Sequence, residues 1–188
     1  MADLRANGGS SALWVKIEEG VIMLQKILVA LDDSAIGEQV FNEALCLAKA
    51  TGARLMLLHV LSMDEKGSPD TAFLPNPDAS DFTIDRSVTA YLEQLEAFKT
   101  AGLNRLREQA NAAQLTGVPT EFTQTLGAPG YGICDLARTW GADLIITGRR
   151  SRSLVNKLFL GSVSNYVIHN APCSVMTIHS QDDKSIAK

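Results

Sequence analysis

The fold is decided first by the stretch KILVALDDS, residues 26–34. After Lys26 the run to residue 31 is wholly apolar and stops at Asp32, a pattern typical of a short strand buried on both faces. Ser34 is a candidate helix N-cap, and apolar residues then recur at helical spacing until Gly52, a residue type that commonly ends helices. The stretch therefore predicts a strand followed by a helix.

The strand and helix alternate along the rest of the chain. The predicted strands are residues 26–31, 53–61, 119–126, 142–148 and 173–179, and the later predicted helices are residues 88–115, 130–140 and 162–170. Parallel neighbours need crossover connections of this kind, which are right-handed. We predict an α/β fold, an open Rossmann-like parallel sheet of five strands with helices on both faces. The alternating pattern of residues 119–126 favours an edge strand.

The flanking segments differ from this pattern. Residues 1–22 precede a second methionine, Met23, and we interpret them as an extension, either native or added, in which ALWVKI (12–17) contributes an edge strand or a packing contact. Residues 23–180 form the predicted domain and residues 181–188 a polar tail. Residues 62–85 contain Gly67, three prolines and several aspartates, which predicts an irregular connection.

Composition excludes several classes of protein. The net charge of −4 over 188 residues argues against a nucleic-acid-binding protein, which usually needs a strongly basic face. No run approaches the roughly 18 to 20 apolar residues of a membrane span. Three separate cysteines favour buried thiols in a reducing cytoplasm, and the histidine spacing indicates no metal site.

A possible anion site lies in TGRRSRSLVNKLFLGSVSN, residues 147–165. Gly148 directly after a strand would allow a positive φ and a close approach of a backbone amide to an oxyanion. The helix that starts in GSVS (161–164) would add unsatisfied amides and a positive dipole end. The alternative is that Gly148 is a simple turn and Ser162 an N-cap, and the residues alone leave both possibilities open.

Two other positions follow from the predicted topology. In open α/β sheets ligands bind beyond the carboxyl ends of the strands, where the strand order reverses, which points to Asp32, Val60 and the loop after the fourth strand. No GxxxxGK[ST] and no GxSxG motif is present in the sequence, and no general base is evident. We therefore expect a binding protein and not an enzyme.

Five stretches resemble the universal stress protein family. They are KILVALDDS (26–34), LMLLHVL (55–61), GAP (127–129), GADLIITGRRS (141–151) and GSVSNYVIHNAPCSVMTI (161–178), in the family's order and at its usual intervals. The resemblance covers about residues 24–179. It implies the strand order 3-2-1-4-5, a role in the stress response, and a homodimer in which the last strands of two chains pair, here residues 173–178.

The resemblance also implies a nucleotide site. Many family members bind ATP through a glycine, two residues, a second glycine, nine residues, and a glycine followed by serine or threonine. Gly148 matches the first position and Gly161 with Ser162 the last, but Ser151 replaces the middle glycine. Serine keeps the backbone amide and adds a hydroxyl donor, while its Cβ would bring crowding near the phosphates.

Residue by residue, the resemblance implies that Asp32 contacts the ribose or adenine and that the backbone of Val60 pairs with the adenine edge. The implied pocket residues are Ala30, Leu31, Thr147 and Arg150, and the implied further phosphate contacts are Val163 and Ser164. The implied ligand is ATP, or else AMP, ADP or cyclic AMP, with Mg²⁺ or Mn²⁺ as a companion. The alternative hypothesis, favoured by Ser151, is a dimeric interaction module that binds a protein partner and no nucleotide.

Overall fold

A computed structural model describes residues 15–17, 20–22, 24–65, 67–69, 81–149 and 161–179. The strands are β1 (Val15–Ile17), β2 (Gly20–Ile22), β3 (Lys26–Leu31), β4 (Arg54–Leu61), β5 (Thr120–Leu126), β6 (Leu144–Arg149) and β7 (Ser174–His179). The helices are α1 (Ala35–Thr51), α2 (Asp81–Leu115), α3 (Pro129–Trp140) and α4 (Ser162–Asn170).

The main sheet has five parallel strands in the order β5-β4-β3-β6-β7. Counted from β3 as the first strand, this is the order 3-2-1-4-5, so the predicted fold class is confirmed. Strand β5 lies at one edge, as its alternating pattern predicts, and β7 lies at the other. Strand β3 is central, which explains why its apolar run is continuous and not alternating.

Each face of the sheet has its own hydrophobic core. Residues of β3, β4 and β6 that point to one face pack against α1 and α2, and the alternate residues pack against α3 and α4. Ile27 and Val29 therefore belong to the first core, while Leu28 belongs to the second, and all three side chains are fully buried. The sheet therefore lies between two layers of helices.

Three local predictions need correction. Helix α2 begins at Asp81, so residues 81–85 are helical and do not belong to an irregular connection. The segment 12–17 does not extend the main sheet where it is described, because β1 pairs antiparallel with β2 in a separate two-stranded sheet. Cys46 is exposed, whereas Cys134 is buried and Cys173 is intermediate, so the expectation of buried thiols is wrong for Cys46.

Helix α1 ends at Gly52, as the sequence predicts. This residue has a φ of 73° and donates its backbone N–H to the carbonyl oxygen of Ala48, which closes α1 in the left-handed conformation that glycine adopts at low cost.

In the described part of the chain, no helix combines the length and apolar character that a membrane crossing requires.

Candidate functional site

The register of the sheet places the predicted site residues at one edge. The ladder between β3 and β4 ends with Leu31 opposite His59, so the next residues, Asp32 and Val60, lie at the carboxyl end. On the other side of β3, Ala30 pairs with Thr147, and Gly148 follows. The chain turns from β3 to β4 on one side and returns to β6 on the other, so the strand order reverses between β3 and β6.

Asp32 is held in place by the loop that follows it. Its Oδ1 accepts a hydrogen bond from the amide of Ser34 at 3.1 Å and another from the Ser34 hydroxyl. Ser34 is the N-cap residue of α1, as predicted, but its side chain makes no capping bond to the helix. The serine instead orients the Asp32 carboxylate at the carboxyl end of β3, in the manner of an Asx turn.

Gly37 allows this loop to lie against the first turn of α1, and sequence reasoning missed it. A Cβ at Gly37 would lie 2.6 Å from the carbonyl oxygen of Asp32 and 3.3 Å from its Oδ1. Any larger side chain would therefore displace the Asp32 loop. A glycine in the first turn of a helix that follows a strand-end aspartate is the signal that could have identified it.

Gly148 does not adopt the conformation that its position suggested. It lies inside β6, pairs with Ile178 of β7, and is absent from the described glycines with positive φ. The expectation of a positive-φ turn is therefore wrong. A Cβ here would lie 3.1 Å from Ile36 Cγ2 and 3.3 Å from Val40 Cγ2, so the close packing of α1 on β6 favours the glycine.

Helix α4 starts beside the carboxyl end of β6. The buried hydroxyl of Ser164 donates to the carbonyl oxygen of Gly148 at 3.0 Å, which ties the first turn of the helix to the strand. Asn165 donates its amide to the carbonyl oxygen of Gly161 at 2.9 Å, and Gly161 provides no side-chain cap. The backbone N–H groups of Ser162, Val163 and Ser164 come before this first intrahelical hydrogen bond. The positive end of the helix dipole therefore lies beside the carboxyl end of β6.

The remaining predicted pocket residues differ in their exposure. Leu31, Val60 and Thr147 are buried, and Ala30 is half-buried, so these residues form the packed floor below the carboxyl edge. Ser162 is exposed and Val163 half-buried at the start of α4. Arg150 and Ser151 lie outside the described residues.

A buried polar cluster adjoins the loop of Asp32 and was not predicted from the sequence. His59 and Glu65 are 3% and 7% exposed, and the His59 Nε2 lies 2.9 Å from the Glu65 Oε2. The Gln124 Nε2 lies 3.2 Å from the His59 Nδ1. Glu65 Oε1 accepts the backbone N–H of Asp33 at 3.1 Å, so the cluster reaches the residue next to Asp32.

The electrostatics of the cluster favour an ionised Glu65. Burial raises the pKa of this carboxyl, but the hydrogen bonds from His59 and from the Asp33 amide hold it below its ordinary value. Near the surface Asp33 also forms an ion pair with Arg105 of α2, with 3.0 Å between Oδ1 and NH2. Asp33 is therefore held by its backbone and by its side chain.

Among the described residues, no group of three or more His, Cys, Asp or Glu side chains could hold a metal ion. The site combines one oriented carboxylate with the amides of a helix N-terminus on either side of the point where the strand order reverses. A carboxylate accepts hydrogen bonds from hydroxyl and amino groups, and helix amides bind anions. The arrangement is a candidate site for a small molecule that carries both kinds of group.

The strand order is that of an open, doubly wound α/β protein. The sequence model of the universal stress protein family matches residues 23–179, and the chain belongs to that family. It is 35% identical over 156 residues to the universal stress protein Sll1388 of Synechocystis, across 81% of this chain and 96% of that protein.

Solved structures agree on the fold. The universal stress protein UspA from Lactobacillus plantarum matches with a TM-score of 0.58 and 22% identity, over 84% of this chain and 99% of that one. A universal stress protein crystallised in complex with cAMP matches with a TM-score of 0.54 and 21% identity, over 84% of this chain and 98% of that one.

Proposed function

We propose that this universal stress protein is a regulator of the stress response that binds an adenine nucleotide, with ATP as the main candidate and AMP, ADP or cyclic AMP as the others. The observation that carries the proposal is the start of α4, whose first turn is tied by the Ser164 hydroxyl to the carboxyl end of β6 and has no side-chain cap among the described residues. Across the strand-order reversal stands the oriented carboxylate of Asp32. Helix amides suit the phosphates of a nucleotide, and a carboxylate suits its ribose or adenine.

The residues present fit the parts of a nucleotide. The amides of Ser162 to Ser164 and the helix dipole suit phosphate oxygens, and the hydroxyl of Ser164 is committed to Gly148 as a donor. Asp32 suits ribose hydroxyls or an amino group of adenine. Mg²⁺ or Mn²⁺ would accompany the phosphates, because Mg²⁺ in proteins commonly keeps waters and phosphate oxygens as ligands. The related protein solved with cAMP supports the choice of an adenine nucleotide.

The proposal is of binding and not of catalysis. Hydrolysis of a nucleotide requires a residue that positions or deprotonates the attacking water. No residue has been assigned this role, and we propose a protein that responds to the nucleotide by changing its own state. We place it in the cytoplasm, where a reducing environment keeps cysteines as thiols.

A homodimer through β7 is the second part of the proposal. β7 lies at the edge of the sheet, and Met176 at its middle is 40% exposed. An edge strand offers backbone groups to a second strand, and pairing with another copy would cover them. A lysine at Met176 should shift the dimer towards monomer in sedimentation experiments, because charge on an edge strand opposes pairing.

Isothermal titration with ATP, AMP and cyclic AMP tests the nucleotide site. Asp32→Asn keeps an acceptor oxygen for Ser34 but removes the charge, and we expect at least a tenfold loss of affinity. Asp143→Asn, a matched change at the opposite end of the sheet, should leave affinity unchanged. No heat at millimolar nucleotide would overturn the proposal and favour the interaction module with a protein partner.

A further inference from the structure

The buried pair of His59 and Glu65 has no place in the nucleotide contacts described above. Without their backbone atoms, the two side chains are each 4% exposed. Ionisable groups rarely reach such burial unless they are paired. The pair lies between the carboxyl end of β4 and helix α2, where the ring of Phe98 meets His59 edge-on at 6.4 Å between centroids. Its polar contacts lead towards the loop of Asp32.

The hydrogen bonds of the cluster have a consistent direction. The side-chain amide of Gln124 donates to the His59 Nδ1, so a neutral imidazole carries its hydrogen on Nε2 and donates it to Glu65. Glu65 Oε1 lies 3.1 Å from the His59 Nε2 and 3.1 Å from the Asp33 amide nitrogen. One oxygen therefore joins β4 to the loop that follows β3.

Close packing keeps the histidine in this orientation. A Cβ at Gly102 of α2 would lie 2.6 Å from the His59 Nδ1 and would also contact the Gln124 amide. The glycine allows α2 to approach β4 and β5 closely enough to contact the ring and the Gln124 amide. The direction of the Glu65 carboxylate is thereby set by the sheet and by α2.

We propose that Glu65, oriented by His59, is a positioning residue for the nucleotide site, because its bond to the Asp33 amide holds residues 32–34 where the Asp32 carboxylate faces the ligand. This inference rests on the proposed function. A loop that is fixed before the ligand arrives loses less conformational entropy on binding. Loss of the Glu65 bond should therefore weaken nucleotide affinity without removing any group that touches the nucleotide.

The experiment measures two quantities in the full-length protein, the ATP dissociation constant by calorimetry and the hydrogen-exchange rate of the Asp33 amide by NMR without nucleotide. Glu65→Ala should raise the dissociation constant about fivefold, the factor expected for one lost hydrogen bond, and should speed exchange at Asp33. Glu65→Gln retains a carbonyl oxygen that can take the place of Oε1, but its amide nitrogen would face the N–H of His59 Nε2, so both values should fall between those of wild type and Glu65→Ala.

Asp64→Ala is the matched control, since it removes a negative charge from the exposed residue next to Glu65. It should leave both quantities unchanged. The inference is overturned if wild-type protein binds ATP while Glu65→Ala leaves the affinity or the Asp33 exchange rate unaltered. A wild-type protein that binds no nucleotide would instead overturn the proposed function, so the two failures are distinguishable.

Discussion

The two ends of the central strand are both fixed by an aspartate, with different consequences. At the amino end, Asp143 Oδ2 accepts the amides of Gln25 at 3.0 Å and Lys26 at 2.9 Å, and the Lys26 ammonium donates to the carbonyl oxygen of Trp140 at 2.8 Å. At the carboxyl end, Asp32 is fixed by Ser34, and on the other side of the strand-order reversal α4 begins at Ser162 with no side-chain cap among the described residues.

The difference separates a structural end from the proposed binding end. The ammonium of Lys26 also lies 5.3 Å from the centroid of the Trp140 ring, so the polar groups of the amino end join β3 to the end of α3. The carboxyl end brings together a carboxylate and helix amides of opposite electrostatic character. Matched changes at the two ends should therefore affect stability and ligand affinity separately.

The largest effect is expected from Gly148→Val, which would introduce a branched side chain whose Cβ would lie 3.1 Å from Ile36 Cγ2. The clash should move α1 away from β6, lower the free energy of unfolding by about 1 to 3 kcal/mol, and abolish nucleotide binding. Urea unfolding and calorimetry measure the two effects. Gly148→Ala is the graded control and should be milder in both; equal affinities for wild type and Gly148→Val would contradict the placement of the site.

At the amino end, Asp143→Ala should lower the free energy of unfolding by roughly 1 kcal/mol, because two backbone amides lose their acceptor at an exposed position. Nucleotide affinity of the folded protein should stay within about twofold of wild type. Chemical unfolding followed by titration under native conditions checks both. A large loss of affinity would show that the two ends do not act separately.

A smaller effect is expected from pH. The pKa of Glu65 lies below its ordinary value of 4.5 in the folded protein, so its ionised form stabilises the fold above that value and this contribution is lost as the pH falls through the folded pKa. The stability difference between wild type and Glu65→Gln should therefore be constant above pH 4.5 and shrink below it. Unfolding curves from pH 7 to the acid limit of folding measure this, and a difference that grows on acidification would contradict the sign.

The smallest effect is expected from Arg105→Ala. Its ion pair with Asp33 joins side chains that are 33% and 53% exposed, and pairs of that kind contribute about 0.2 to 1 kcal/mol. We expect a loss of at most about 0.5 kcal/mol in unfolding free energy. Lys99→Ala, which removes the exposed pair with Glu96, is the control and should have a similarly small effect. A loss several times larger would assign Arg105 a larger part in holding the loop.

The sequence was sufficient for the fold because its signals are local. The continuous apolar run before Asp32 and the glycine at Gly52 reflect burial and backbone geometry that each segment carries by itself. The same reasoning failed at Gly148, where the close approach of a neighbouring helix, and not a turn, favours the glycine. Close approach between elements distant in sequence leaves no periodic pattern.

The candidate site was predicted in part for a similar reason. Asp32 and the start of α4 stand at strand and helix ends, which sequence patterns locate. His59 lies within an apolar strand and Glu65 in a turn of polar residues, so neither residue type nor spacing shows that they meet. Their contact depends on how α2 packs over β4.

The contrast between the two ends can be tested in one titration of ATP into isotope-labelled protein, followed by amide NMR. The amides of Asp32, Val60 and Ser162 to Ser164 should shift in a saturable way, whereas those of Gln25, Lys26 and Asp143 should not. No shift at millimolar ATP, or shifts confined to the amino end, would contradict the assignment of the carboxyl end as the nucleotide site.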